Sequence, residues 1–288
     1  MLNIQDHLIP VAPGNAVDAG WTPATGYKPR GVTWHWTATA SLAEARAMLG
    51  GSNPTRKGQA SAHYCVGRSE AEGIDRWVSL ENRSWHAGAL QTLRWDGRTF
   101  GGPDDKGSRT CVGIETVNLG YARSGVPAAS DWLRAATPQF VEYQIQPWTE
   151  EQIGMCIALG RVVIARWPNI GVRDHTGHHD LCPQYKEDVS GFPFARVLRG
   201  IYNDATIPDV WTSTWTIRSR QSTLIALGYD LGRSGADGLW GPRSQAALKK
   251  FQQSVGLPAN GYWTTSVSWK AYDVATARGL SWPVSAVL

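Results

Sequence analysis

The densest cluster of reactive side chains in this 288-residue chain lies between residues 173 and 188. The segment RDHTGHHDLCPQYKED holds three histidines, one cysteine, one lysine and several carboxylates. Imidazole nitrogen and carboxylate oxygen together suit a borderline cation such as zinc. A loop that brings His178 and Asp188 together would supply two ligands. Spacing alone leaves the choice open among His175, His178, His179 and Cys182.

A third ligand has to come from elsewhere in the chain, and His35 is the best candidate. The run GVTWHWT at 31–37 alternates, so that Trp34 and Trp36 share one face of a predicted strand while His35 lies on the other. His35 is therefore isolated and points away from the tryptophans. The simpler alternative is a hydrogen-bonded structural histidine, which is the more frequent role of a lone strand histidine.

The remaining pattern predicts an α/β fold with a mixed central sheet flanked by helices. Strand-like runs recur at 61–68, 74–80 and 111–119. Ser41 with Glu44 predicts the start of a short helix, and Thr149 with Gln152 the start of a long one. In the 111–119 strand Glu115 shares a face with Gly113, whose lack of a side chain would leave room for a ligand.

Composition excludes several classes of protein. The hydrophobic fraction of 42% is enough for a packed core, and the net charge of +4 is scattered along the chain, which argues against a nucleic-acid partner. The amino terminus MLNIQDHLIP has no basic segment before an apolar run, so we expect no secretory signal. No stretch approaches about 18 consecutive apolar residues, so we expect no stable membrane association.

The chain divides into two domains at a Pro- and Thr-containing stretch. We predict a larger domain at 1–205, a linker at 206–216 and a smaller domain at 217–288. The smaller one contains an internal repeat, ADGLWGPRS and ANGYWTTSV, in which a tight turn precedes a helix start. Two such turns predict a bundle of three short helices.

Five motifs in order resemble the zinc-dependent N-acetylmuramoyl-L-alanine amidases of the amidase-2 family. They are GVTWHWTAT, SAHYCVGR, SWHAG, CVGIETVNLG and GHHDLCPQYKED, and they extend over about 155 residues. The segment at about 217–275 resembles the peptidoglycan-binding module of wall hydrolases through LGYD, ADGLWGPRSQAALKKFQ and GLPANGYW. The resemblance implies an amidase-2-like fold, a zinc cofactor and peptidoglycan as the partner.

Carried over position by position, the resemblance implies that His35, His178 and Asp188 bind zinc. It also implies that Glu115 and Lys186 act on the substrate. Zinc would activate a water molecule, Glu115 would move its proton to the leaving amine, and Lys186 with zinc would stabilise the oxyanion.

Some family members carry a catalytic tyrosine where this chain has Ala62, so we expect the glutamate variant of the mechanism. Two departures occur in the last motif, where Tyr185 replaces the commoner arginine and Val189 follows in place of proline.

Five further residues are candidates for ligand contact. We predict substrate contacts from Trp85, His86 and His63, and wall contacts from Asp237 and Trp240. Each has a structural alternative, because buried histidines, tryptophan cores and Asp-Gly turns are common parts of folded domains.

The function implied is hydrolysis of the amide between the lactyl group of N-acetylmuramic acid and L-alanine. We expect a monomeric phage or prophage endolysin, made in the bacterial cytoplasm and released to the wall at lysis. The alternative is a non-catalytic peptidoglycan-recognition protein on the same fold. The joint presence of His35, His178, Asp188, Glu115 and Lys186 argues against that alternative, because a pure binder does not need a site that activates water.

Overall fold

The structure is a computed structural model. It describes residues 3–10, 21–23, 26–50, 60–87, 93–95, 98–100, 107–210 and 215–282. The last glycine of the SWHAG motif and residues 211–214 of the predicted linker lie outside the described residues.

A mixed six-stranded sheet forms the centre of the larger domain, with strand order β1-β5-β4-β9-β3-β12. Within it β4 and β5 are antiparallel, and the other neighbouring strands are parallel. Small two-stranded ladders join β2 with β6, β7 with β8 and β10 with β11. The strands formed by the described residues are β1 Ile4–Asp6, β2 Trp21–Thr22, β3 Gly31–Trp36, β4 Tyr64–Val66, β5 Ile74–Arg76, β6 Arg83–Ser84, β7 Leu93–Trp95, β8 Arg98–Phe100, β9 Cys111–Thr116, β10 Leu133–Ala136, β11 Glu142–Ile145 and β12 His175–Gly177.

Helices cover both faces of this sheet, as the fold-class prediction required. The helices of the described residues are α1 Leu42–Leu49, α2 Gly107–Thr110, α3 Glu150–Arg166, α4 His178–Leu181, α5 Phe194–Tyr202, α6 Ile217–Ala226, α7 Pro242–Ser254 and α8 Thr265–Ala277. Helices α3 and α5 pack on the face that carries Trp34 and Ile114, and α1 packs on the face that carries Cys65. Chain segments that bury apolar residues on both faces of the sheet explain why β3 and β9 are buried along nearly their whole length.

Both predicted helix starts are present, with one difference in detail. The Ser41 hydroxyl accepts the backbone N–H of Glu44, and the Thr149 hydroxyl accepts that of Gln152. The Gln152 side chain does not complete a reciprocal cap. Its amide nitrogen instead donates to the carbonyls of Val66 and Val117, which ties the first turn of α3 to the sheet.

The His-rich segment expected to be a loop contributes a strand. Residues His175–Gly177 pair in parallel with β3, and α4 begins at the next residue. A run of three residues that includes a glycine is too short to show the alternation of apolar and polar residues typical of a strand, so only pairing with β3 defines β12. Because of this pairing, His178 directly follows the carboxyl end of a strand and lies beside His35.

The smaller domain is the predicted bundle of three helices, α6, α7 and α8. Its core includes Leu224, Leu248 and Phe251. The division of the chain at 206–216 stays a prediction, but Ile207 and Val210 are buried in the core of the larger domain. No helix within the described ranges is long and apolar enough to cross a membrane.

The two domains are joined by buried polar contacts. The Asp180 carboxylate, next to the candidate ligand His178, accepts the backbone N–H of Gly177 at 2.9 Å. It also accepts the backbone N–H and the hydroxyl of Thr265 at 2.7 and 2.6 Å. The Asp180 carboxylate therefore stabilises the first turns of both α4 and α8. A second contact between the domains comes from Arg220, whose fully buried guanidinium donates to the carbonyls of Ala136 and Thr137.

We predict that Thr265→Val lowers the free energy of unfolding by about 1.5–3 kcal/mol, the usual contribution of a hydrogen bond to a charged group. Urea unfolding of the full chain measures this loss. Thr276→Val is the matched control, because Thr276 is an exposed residue of the same helix. Equal stability of the two variants would contradict the importance of the contact between the domains.

Candidate active site

Three side chains converge at the carboxyl edge of the parallel strands. His35 lies at the end of β3, His178 follows β12, and Asp188 comes from the loop after α4. His35 Nδ1 lies 3.1 Å from His178 Nδ1 and 3.2 Å from Asp188 Oδ2, and these last two atoms are 3.0 Å apart. All three residues are at least nine-tenths buried. The triangle of ligand atoms thus lies where open α/β sheets usually bind ligands.

The chemistry and spacing of this donor set fit a metal ion. The three are the only group of at least three histidine, cysteine or acidic residues among the described residues whose ligand atoms could hold a metal together. Ligand atoms bound about 2.0–2.1 Å from a tetrahedral zinc are about 3.3 Å apart. The observed separations are close to that edge length. Two imidazoles and one carboxylate also match the catalytic type of zinc site, which keeps a fourth position open.

The charges of the three groups are strongly coupled. Burial disfavours the charged form of each, and at His178 it is the largest single influence, but the charge of Asp188 together with hydrogen bonds to Asp188 and Cys182 outweighs it and raises the pKa of His178 to about 9. Conversely, burial would raise the pKa of Asp188, yet the charge of His178 and the hydrogen bond from His178, with a smaller contribution from His35, hold it well below its usual value. Burial and the charge of His178 lower the pKa of His35 to about 4. The pocket therefore accommodates a carboxylate only together with a positive charge.

Glu115 lies beside this triangle with one oxygen unused. It pairs with His35 in the register of β9 and β3, which places both side chains on the same face of the sheet. Its Oε2 atom is buried without a hydrogen-bond partner among the described residues. Burial, followed by the negative charge of Asp188, raises the pKa of Glu115 to about 8. Such a carboxyl group is suited to exchanging protons near neutral pH.

A cleft of about 460 Å³ opens over these groups. Lys186 lines it together with Glu115 and the three converging residues. Lys186 is partly exposed, and its ammonium lies 5.9 Å from the ring centroid of Tyr185. The structure therefore brings together the five residues that the resemblance selected.

Sequence reasoning missed part of the wall of this cleft. Trp36, Tyr121 and Arg123 line it, and Tyr121 stacks on Tyr143 with ring centroids 4.3 Å apart. The one feature of the sequence that could have indicated this wall is Gly120, which follows strand β9. Gly120 has φ +75°, and a Cβ there would lie 3.1 Å from the Trp36 ring.

His86 does not have the free ring nitrogen that its predicted substrate contact would use. Its Nε2 lies 2.9 Å from the carbonyl oxygen of Cys111, and its Nδ1 lies 3.0 Å from His35 Nε2. The space beside Gly113 is filled by the same ring, because a Cβ on Gly113 would lie 2.3 Å from His86 Cγ. The expectation that Gly113 leaves room for a ligand is wrong, since the room holds His86.

The other two predicted substrate contacts also have structural roles. His63 is fully buried, accepts the Gly113 N–H and the Ser84 hydroxyl at Nδ1, and donates from Nε2 to the carbonyl of Asn82. The Trp85 indole donates to the hydroxyl of Thr22. Neither residue lines the cleft.

The structure distinguishes the alternatives left open in the His-rich segment. His175 accepts the indole N–H of Trp34 at Nδ1, and its Nε2 lies 3.0 Å from the Tyr202 hydroxyl. The His179 ring packs against Gly177, and its Nε2 lies 3.6 Å from Asp180 Oδ1. Neither these residues nor Cys182 belongs to the converging group.

The predicted wall contacts in the smaller domain are engaged within the protein. Asp237 accepts the Leu239 N–H and the Gln221 amide, as expected of a turn residue. Trp240 stacks on Phe140 of the larger domain with ring centroids 3.6 Å apart. One face of the Trp240 ring is therefore covered by the other domain, which favours the structural alternative.

Comparison with known proteins identifies both parts of the chain. Residues 25–189, more than half of the chain, match the Amidase_2 family, described as N-acetylmuramoyl-L-alanine amidase. Residues 216–268 match a family described as a peptidoglycan binding domain. The "Probable N-acetylmuramoyl-L-alanine amidase" of Bacillus licheniformis is 24% identical over 263 residues, which covers 86% of this chain and 68% of that protein.

Comparison with solved structures also finds matches that extend over most of the chain. AmiD from E. coli, in complex with a substrate containing anhydro-N-acetylmuramic acid, is 23% identical with a TM-score of 0.48, covering 90% of this chain and 93% of its own. AmpDH3 from Pseudomonas aeruginosa, in complex with anhydromuramic pentapeptide, is 20% identical with a TM-score of 0.49, covering 88% and 95%.

The buried, neutral state of His175 predicts acid sensitivity. Burial lowers the pKa of His175 to about 3, whereas an unfolded histidine has a pKa of about 6.5. Between these values the unfolded chain binds the extra proton, so stability present above about pH 6.5 is lost as the pH falls, by up to about 1.4 kcal/mol per pH unit. His175→Gln should reduce this slope, measured by urea unfolding between about pH 6 and about pH 5.

Tyr202→Phe is the matched control for His175→Gln. It removes the hydroxyl that bonds His175 Nε2 but keeps the buried imidazole and its contact with Trp34, so it should lower stability at every pH and leave the slope unchanged. An unchanged slope in His175→Gln would contradict the prediction.

Proposed function

This chain belongs to the N-acetylmuramoyl-L-alanine amidase family, and from that premise we propose that it holds zinc on His35, His178 and Asp188. It is a peptidoglycan hydrolase that cleaves the amide between the lactyl group of N-acetylmuramic acid and the L-alanine of the stem peptide. The observation that supports the proposed centre is the convergence of three ligand atoms beside Glu115, whose buried Oε2 has no partner among the described residues.

The site residues divide the work around the scissile bond. Zinc, when bound, supplies Lewis acidity towards the amide carbonyl and the attacking water. Glu115 Oε2 accepts a proton from that water as the new C–O bond forms. The same oxygen then delivers the proton to the amide nitrogen as the C–N bond breaks, which releases the stem peptide with a free amino group.

Lys186 supplies the second positive charge. Its partly exposed ammonium lines the cleft above the buried carboxylates and can move toward substrate without desolvating fully. As the carbonyl becomes tetrahedral, the developing oxyanion is stabilised by this ammonium. The amide carbonyl of the substrate does not carry this negative charge, so Lys186 stabilises the transition state more than the ground state. The charge is lost again when the C–N bond breaks.

The smaller domain gives the enzyme its hold on an insoluble polymer. A wall-binding module in the same chain raises the effective concentration of amide bonds at the active site. The pairing of an amidase with such a module is consistent with a lytic enzyme of the endolysin type. Phage origin, release from the bacterial cytoplasm at lysis and a monomeric state stay predictions.

We predict that Glu115→Gln keeps the zinc content of the wild type and lowers kcat by about 10²–10⁴-fold, because the amide cannot accept the proton of water. Turnover of a soluble muramyl peptide and metal content by atomic emission measure the two quantities. Glu187→Gln is the matched control, since Glu187 is a neighbouring carboxylate that lines the same cleft. Wild-type turnover in Glu115→Gln would contradict its role.

The bond that is cut is tested by mass spectrometry of digested peptidoglycan, with the protein as purified, after chelation and after zinc is restored. Stem peptides beginning with L-alanine, together with glycan strands that keep their lactyl groups, are the expected products. They should disappear on chelation and return with zinc. Binding to walls without any product would favour the peptidoglycan-recognition alternative, and products that persist after chelation would contradict the zinc proposal.

A further inference from the structure

Three groups form a hydrogen-bonded chain behind the candidate metal centre. The carbonyl oxygen of Cys111 lies 2.9 Å from His86 Nε2, and His86 Nδ1 lies 3.0 Å from His35 Nε2. The two imidazole rings meet edge to face, with an interplanar angle of 83°. His35 Nδ1, on the far side of its ring, points to His178 and Asp188.

The direction of each hydrogen bond in this chain follows from the carbonyl group. A backbone carbonyl only accepts hydrogen bonds, so His86 Nε2 has to carry a proton. A neutral imidazole has one N–H, which leaves a lone pair on His86 Nδ1. That lone pair faces His35 Nε2, so His35 has to donate from Nε2. The single proton of neutral His35 is thereby placed on the nitrogen remote from Asp188.

We propose that His86 is a positioning residue that fixes His35 as an Nδ1 ligand to the metal. A metal-bound histidine needs a lone pair on the coordinating nitrogen, and its other ring nitrogen usually donates a hydrogen bond that sets the tautomer and the ring angle. Here the hydrogen bond is accepted by a second histidine, whose own tautomer is set by the backbone of β9. This inference rests on the proposed zinc site.

The surrounding structure holds His86 in that orientation. The backbone of the adjacent Ala87 is bound on both sides by Ser108, whose hydroxyl accepts the Ala87 N–H at 2.9 Å and also lies 2.8 Å from the Ala87 carbonyl oxygen. The backbone N–H of Trp85 donates to the Ser61 hydroxyl. The His86 ring then occupies the place where any residue larger than Gly113 would have its Cβ. The position is therefore built around this ring.

Two variants separate positioning from simple packing. His86→Asn keeps a carbonyl oxygen near the place of Nδ1 and still accepts from His35, but it leaves a smaller side chain. His86→Phe keeps a ring of similar size and accepts no hydrogen bond. Positioning predicts that Phe is the more damaging change, whereas a packing role predicts that Asn is.

The first measurement is zinc affinity, by competition of the folded protein with a chromophoric chelator. We expect His86→Phe to bind zinc about 10–100-fold more weakly than the wild type, and His86→Asn to stay within about a few-fold of it. Circular dichroism of each variant identifies a loss that comes from unfolding. Equal affinity of a folded His86→Phe and the wild type, or weaker binding by Asn than by Phe, would overturn the proposal.

The second measurement needs no metal. Nitrogen-15 NMR of the zinc-free protein with labelled histidine reports which ring nitrogen of His35 carries the proton. The wild type and His86→Asn should show the proton on Nε2, and His86→Phe should show a shift towards Nδ1. A wild-type His35 protonated on Nδ1 would overturn the inference. A wild type that binds no zinc but has the expected tautomer would refute the proposed metal centre and leave the hydrogen-bond chain intact.

Discussion

The rest of the structure depends on one constraint, which is that two imidazole rings and a carboxylate have to meet at a single buried point. These groups lose their hydration when they are buried, so the arrangement is stable only with a positive charge between them. The parallel pairing of β3 with β9 and β12 meets the geometric requirement. It fixes His35 opposite Glu115 and starts α4, with His178, at the neighbouring strand end.

The backbone also controls the chemistry of the side chains at this edge. A carbonyl of β9 orients His86, which orients His35, while the N–H of Gly113 in the same strand orients the separate structural histidine His63. On the other side, Asp180 joins the start of α4 to the wall-binding domain through Thr265. The turn that carries His178 is therefore stabilised by both domains, so the smaller domain is part of the support of the active site.

The sequence predicted the groups that converge in the cleft and missed several groups that hold them. His35 was readable because strand alternation isolates it, and His178 because an ordered set of motifs selects it from three neighbours. β12 was not readable, because three residues carry no periodicity and pairing with β3 defines the strand. Gly113 was misread because the ring that fills its space comes from a distant turn. The surroundings of Trp240 could not be predicted from the sequence for the same reason, since only the docking of the two domains places Phe140 on its ring.

The most direct test of the metal centre is anomalous X-ray diffraction from crystals of the zinc-loaded protein, measured on both sides of the zinc absorption edge. We expect one strong peak within bonding distance of His35 Nδ1, His178 Nδ1 and Asp188, with Glu115 beside it and outside the coordination sphere. A peak bound through the Nε2 atom of His35, or one located away from these three residues, would contradict this expectation.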